Sequence, residues 1–510
     1  MSITSFNFFV FVVATLIIYF FCVPKKVQWC ALLAASYVFY FFAGGRILFI
    51  YILFTTTTVY WCGLWIERLR DRGAGMKAGK WIITLALLGN FGLLAFFKWY
   101  NTAVGFANNL LGDAFQLPLN NLLLPLGISF YTFQAIGYLI DMYRGSLKPE
   151  RNWARFALFL SFFPQLIQGP ISRHSELADQ LYASHKFDYI QARRGFQLII
   201  WGLFKKLVIA DRLFIMTTTI YDAPDQYKGL YVLLGAALVA IRVYTDFSGG
   251  VDVARGVAQM LGINLPQNFR RPFFAENVRE YWRRWHITLN GWWRDYLFYP
   301  FVLSKPMAKL GKFTRRHISK RLGKIIAVYI GITIVRLVNA MWHGAESYYI
   351  ANGLYFGILM VLGLIFRPKF AKVTKMLRIN TERFFWKLFQ ITRTFLVVIL
   401  SRVFILMGGI WAGMKALISI VADFNPGVMK VDTLFSLGLS QWDVWILMIS
   451  LALVLVVDIL QEKGIAIRET LERQKIAVQW AALLTGIFLV LLWGRYGFGY
   501  DAVRFVYEEI

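Results

Sequence analysis

Long apolar runs separated by short basic loops set the pattern of this chain. Three of the runs, Ser5–Val23, Ile47–Ile66 and Ile476–Gly494, carry no charge at all. Each is long enough to cross ~30 Å of hydrocarbon as a helix. No period-2 alternation competes with them, and a segment in lipid must satisfy its backbone groups internally, so helices are expected. The first run has no basic residue before it and no small-residue cleavage site after it, which reads as a retained span and not a cleaved leader.

Lys25 and Lys26 follow the first run and place the N-terminus outside the cytoplasm. Val27–Gly45 and Ile47–Ile66 then form a hairpin that returns to the basic loop Glu67–Lys80. Trp81–Phe97 exits, and Leu119–Ile140 re-enters before Arg144, Lys148, Arg151 and Arg155. Phe156–Ser172 contains Pro164, which removes a helix donor, so this segment is expected to be broken or re-entrant. Phe196–Ala210 is interrupted by Lys205 and Lys206, and Leu230–Ile241 is short before Arg242. Charged or irregular backbone at membrane depth is tolerated where protein or water covers it, so these imperfect spans predict a central cavity. Arg270 to Lys324 holds 14 Lys/Arg and reads as the cytoplasmic face. Spans resume with Ile325–Val338, Tyr348–Phe366, Phe395–Met414, Val444–Leu460 and Ile476–Gly494, leaving the C-terminus outside. The pattern predicts an all-α polytopic membrane protein of about 11 transmembrane helices with re-entrant and interfacial pieces, in one integral-membrane domain over residues 1–510.

Composition narrows the class. Hydrophobic residues make up 58% of the chain and charged residues only 16%, against about a quarter charged in soluble domains. The net charge of +27 lies in the loops. Contact with anionic lipid head groups therefore accounts for it, and nucleic acid is excluded as a partner. Cys22, Cys30 and Cys62 have neither metal nor redox spacing and read as small buried hydrophobes. No metal site is expected.

Candidate chemistry rests on few residues. Of five histidines, His185 and His317 lie in polar stretches, and His174 ends the broken segment. Read as one helix, Arg283, His286, Asn290 and Trp293 share a face; an interfacial anchor helix would show the same residues. His343 follows Trp342 between two apolar runs, with Asn339 one turn back to orient the ring and Gly344 leaving room beside it. An ionisable residue at that depth reads as functional, and imidazole suits general-base work; a core histidine is the alternative. Asp246 and Asp252 follow a short apolar run, with Arg242 placed to pair with Asp246 and glycines that suggest a helix break. They read as a buried structural ion pair or, in a transporter, a proton or cation site.

Four stretches in order resemble the membrane-bound O-acyltransferase family, in particular its alginate O-acetylation branch. They are Gln168-Gly-Pro-Ile171 with Arg173, Asp246-Phe-Ser-Gly249 with Asp252, Tyr281-Trp-Arg-Arg-Trp-His286 with Trp293-Arg-Asp-Tyr296, and Trp342-His-Gly344. They define a motif-bearing core over 168–344, with 345–510 supplying C-terminal helices that complete the bundle. Gly250-Val251 and Glu346-Ser-Tyr-Tyr349 depart from the branch's usual residues. The resemblance implies helices around a central funnel or tunnel, His343 as the invariant histidine and His286 as the second. It implies transfer of acetyl from a cytoplasmic thioester, acetyl-CoA, with no bound cofactor. The acetyl passes across a bacterial inner membrane to extracytoplasmic acetyltransferase partner proteins and a polysaccharide. Arg283 and Arg284 are candidates for the donor's phosphates, and Asn339, Trp342, Asp246 and Asn290 are supporting residues. Two rivals stand beside this: D-alanyl transfer to teichoic acid from a carrier-protein thioester, and a transporter or non-catalytic scaffold of polysaccharide export. The length of chain beyond Gly344 favours the acetyl branch.

Overall fold

The computed structural model describes all residues except 1, 45–47, 73–75, 113–115, 120–123, 167, 498–499, 501–502, 504 and 506–510. Gly45 and Ile47, at the boundary expected between the second and third spans, lie outside the described residues, as do 120–123 at the start of the fifth. Among the described residues there are helices and no strands. Nine helices among the described residues are long and apolar enough to cross a membrane, and Phe6–Cys22 and Ile410–Ala422 are shorter apolar helices. The chain divides into two compact units. One comprises Met1–Leu203, Gly250–Pro266 and Phe505–Glu509, the other Phe204–Gly249, Gln267–Arg504 and Ile510.

In the first unit, Gln28–Gly44, Phe49–Asp71 and Met76–Leu111 are the long helices. Ile128–Arg144 is set between Gly127 (φ 66°) and Gly145 (φ 77°), both in the left-handed region that glycine enters without a Cβ penalty. Pro164 acts as expected. Trp153–Ser161 ends at Phe162, Phe163–Leu166 is one short turn, and the next described helix is His174–Tyr182. This broken stretch is buried, and Asn152 caps its first helix by accepting from the amides of Ala154 and Arg155. The cysteines depart from expectation: Cys22 and Cys30 are exposed and Cys62 is half-buried. On apolar spans the outer surface faces hydrocarbon, so a small apolar thiol is stable there without protein cover.

Two expected interruptions do not occur. Tyr189–Leu203 is followed directly by the π-helical Phe204–Ala210 and then Asp211–Asp222, so Lys205 and Lys206 bend the hydrogen-bond pattern without ending the helix. Leu230–Met260 is one helix of 31 residues that passes through Gly249 and Gly250, so those glycines make no break. A break missed in the sequence falls later. Phe384–Leu406 ends before Gly408 (φ 64°), and Ile410–Ala422 is separate, dividing the expected Phe395–Met414 span. Leu322–His343 and Ser347–Met376 pack closely. A Cβ on Gly353 would come within 2.7 Å of Ala340 and 2.8 Å of the Arg336 carbonyl, the small-residue contact by which helices approach in lipid.

Candidate active site

The site residues of the second unit gather around one tryptophan. Trp342 is buried, its ring centroid 4.6 Å from His343 and 6.3 Å from His286. Its position at the C-terminal end of Leu322–His343 delivers one histidine by sequence and meets the other by packing. His343 is half-buried and stacks against Tyr349 at 5.8 Å and 22°. Gly344 is extended, and a Cβ there would press within 2.7 Å of the Tyr349 ring. The room that Gly344 leaves is therefore used by the Glu346 carboxylate and the Tyr349 ring.

His286 does not lie on a continuous helix face. Val278–Arg284 ends, His286 takes φ 43° and ψ 57°, and Ile287–Trp293 begins after it. A non-glycine residue in the left-handed region costs of order 1–3 kcal/mol and persists only where its surroundings fix it. Here they do: the Ile287 amide donates to the Asn268 carbonyl at 2.9 Å and the Asn290 amide to the His286 carbonyl at 3.0 Å. Nδ1 of His286 lies 3.2 Å from Oδ1 of Asn268, and the Phe247 ring packs edge-on at 4.9 Å. Burial pushes the His286 pKa down to about 3, so the ring is neutral at working pH.

Asn290 donates from Nδ2 to the carbonyls of Trp285 at 2.8 Å and His286 at 3.1 Å. Its Oδ1 accepts from Arg336 at 2.7 Å. Arg336 is buried with its guanidinium 4.3 Å from the Trp282 ring centre, and neither Arg336 nor Asn268 stood out in the sequence. Asn339 accepts from Trp293 Nε1 at 3.0 Å. It thus anchors the indole that follows the His286 turn, where orientation of His343 was expected.

The two candidate arginines separate. Arg283 is exposed. Arg284 is buried and engaged with Glu280 at 2.6 Å and Glu462 at 2.8 Å, so its guanidinium is held by two carboxylates. Glu462 also holds Arg271 at 2.6 Å. Asp246 is buried and paired with Lys206 at 2.6 Å; Lys206 reaches Asp211 at 3.0 Å, and Tyr500 donates to Asp211 at 2.8 Å. The expected Arg242 partner instead donates to Thr217 and lies over Phe214. Asp252 belongs to the other unit, 3.6 Å from Arg255. Among the described residues no three His, Cys, Asp or Glu side chains are grouped to hold a metal.

Fold and site together define a multi-pass, all-helical membrane protein with two histidines packed on one tryptophan at a span's end. Residues 151–407 match the model of the membrane-bound O-acyltransferase family. The chain belongs to that family. It is 33% identical over 374 residues to a probable alginate O-acetylase of Pseudomonas syringae pv. tomato, covering 72% of this chain and 65% of that protein. It is 33% identical to a peptidoglycan O-acetyltransferase of Helicobacter pylori, over 55% of this chain and 54% of that one. It is also 30% identical to a teichoic acid D-alanyltransferase of Bacillus subtilis, over 48% and 60%. The match to each of these three thus spans less than two thirds of the relative's length.

Proposed function

We propose that the protein is an O-acetyltransferase of a bacterial inner membrane, carrying acetyl from cytoplasmic acetyl-CoA across the bilayer for O-acetylation of an extracellular or periplasmic polysaccharide. The observation that carries this reading is the cluster of His343, Trp342 and His286, which lies within the family-matched residues. In the reaction, Nε2 or Nδ1 of His343 takes the proton of the acceptor hydroxyl as its oxygen attacks the thioester carbon. The tetrahedral oxyanion collapses, the C–S bond breaks, and the thiolate leaves with the proton that the imidazolium returns. His286 assists by accepting a hydrogen bond or relaying a proton, and exposed Arg283 meets the donor's phosphates. Extracytoplasmic acetyltransferase partners receive the acetyl group, and both chain termini lie on their side of the membrane.

A second reading, D-alanyl transfer from a carrier-protein thioester, is favoured by the likeness to the Bacillus subtilis protein. The purified protein separates the two. Free thiol released from acetyl-CoA, with transfer to a hydroxyl acceptor, supports acetyl transfer. Thiol released only from a carrier-protein thioester moves the assignment to D-alanyl transfer, and release from neither overturns acyl transfer.

A further inference from the structure

Asn268 lies in the loop after Leu230–Met260, wholly buried, and both its backbone and side chain grip the turn that carries His286. Its carbonyl accepts from the Ile287 amide. Its Oδ1 accepts from the Thr288 amide at 3.1 Å and the Thr288 hydroxyl at 3.0 Å. A backbone N–H can only donate, so the atom facing it is the carboxamide oxygen; a flipped amide would set donor against donor. The same oxygen stands 3.2 Å from Nδ1 of His286. An oxygen that accepts from both Thr288 groups requires a proton on the third neighbour, so the neutral ring carries its hydrogen on Nδ1.

We propose that Asn268 is a positioning residue for acyl transfer: it holds His286 as the Nδ1–H tautomer and leaves Nε2 as the ring's proton acceptor. When Nε2 takes a proton, the Nδ1–H stays on Asn268 Oδ1, and that bond steadies the imidazolium until the proton is passed on. The use of this tautomer rests on the acyl-transfer reading; the tautomer itself does not.

Solid-state ¹⁵N NMR of histidine-labelled protein in bilayers tests it, since the chain has only five histidines and His286→Gln identifies the relevant signals. The wild type is expected to show a protonated Nδ1 and an unprotonated Nε2 for His286. Asn268→Leu is expected to move the proton to Nε2 or mix the tautomers. Asn268→Asp, which keeps the acceptor oxygen, is expected to retain the wild-type pattern. In acetyl-CoA turnover, Asn268→Leu should lower kcat by about 10²-fold or more with little change in KM, and Asn268→Asp should recover most of the loss. An Nε2–H signal in the wild type, or an unchanged tautomer in Asn268→Leu, overturns the proposal. Should Asn268→Leu not fold, the wild-type and Asn268→Asp spectra decide it, since loss of Nδ1–H in either overturns it as well. The expected tautomers without any acyl transfer would uphold Asn268's hold on the ring and overturn the functional reading instead.

Discussion

Asn290 and Arg336, 46 positions apart, are joined at 2.7 Å by a hydrogen bond from the buried guanidinium to the carboxamide oxygen. The opposite end of the same carboxamide holds the carbonyls of Trp285 and His286. One side chain thus ties a charge on a membrane-spanning helix to the turn that carries a candidate histidine.

Replacing Asn290 by Leu leaves that guanidinium without its oxygen and takes the side-chain donor from both carbonyls, the His286 carbonyl keeping only the backbone amide of residue 290. A lost hydrogen bond to a charged group costs ~1.5–3 kcal/mol, so thermal unfolding in detergent should shift down by several degrees. Asn290→Asp restores an acceptor for Arg336, now charged, and should recover part of the shift. Equal melting of Asn290→Leu and the wild type would refute the link.

His343→Ala should abolish polymer acetylation while leaving abundance intact, because a half-buried ring at a helix end contributes little packing. Loss of a general base costs ~10²–10⁴ in rate. His343→Gln keeps much of the shape but cannot take up the proton, so it should be nearly as damaging. Near-normal product from His343→Gln would sink the general-base role, and a core role would show as lowered abundance in the alanine variant.

Acid should weaken the fold through His286. Its folded pKa is down to about 3, against about 6.5 for an ordinary histidine. The unfolded ring therefore binds the proton first, so stability is intact above about pH 6.5 and falls as pH drops from there toward 3. His174, half-buried among Tyr138, Phe159 and Tyr182 and pushed down to about 4 by desolvation, acts the same way. Each contributes a slope of up to ~1.4 kcal/mol per pH unit. Thermal unfolding between pH 7 and 4.5 should show this decline, and His286→Gln should remove about half of it. An undiminished slope in that variant would mean that His286 titrates as it does in water.

The basic loops predict an orientation. Lys77, Arg316 and Lys372 are exposed, and the positive-inside rule puts all three in the cytoplasm. Single cysteines at these positions, in a background lacking Cys22, Cys30 and Cys62, should resist a membrane-impermeant thiol reagent applied to intact cells. Efficient labelling at any of the three would reverse the orientation.

The membrane class and most spans were legible because an apolar run of span length has few alternatives. The break at Pro164 was legible too, since proline cannot donate. The turn at His286 was not: Trp-Arg-Arg-Trp-His-Ile contains neither glycine nor proline, and the left-handed residue is held by Asn268, 18 positions upstream. Gly408 and Gly409 did signal the break in Phe395–Met414, but the apolar run around them masked it. Arg242 was the nearest basic residue to Asp246 by helical spacing, whereas its partner Lys206 comes from a different helix. Local spacing carries the elements; contacts across 18 or 40 positions carry the pairing.

Glu462 closes two guanidinium contacts, to Arg271 and Arg284, and Asp443 holds Arg212 at 3.0 Å. Both acids lie beyond residue 407, where the family match ends. The family-matched stretch therefore borrows part of its counter-charge from helices that the match leaves out. Trimming the chain to residues 151–407 would remove the carboxylates that hold Arg271 and Arg212 and leave Arg284 with Glu280 alone. The C-terminal helices are neutralising parts of the protein, and any minimal version has to carry them or replace Arg212 and Arg271 with apolar residues.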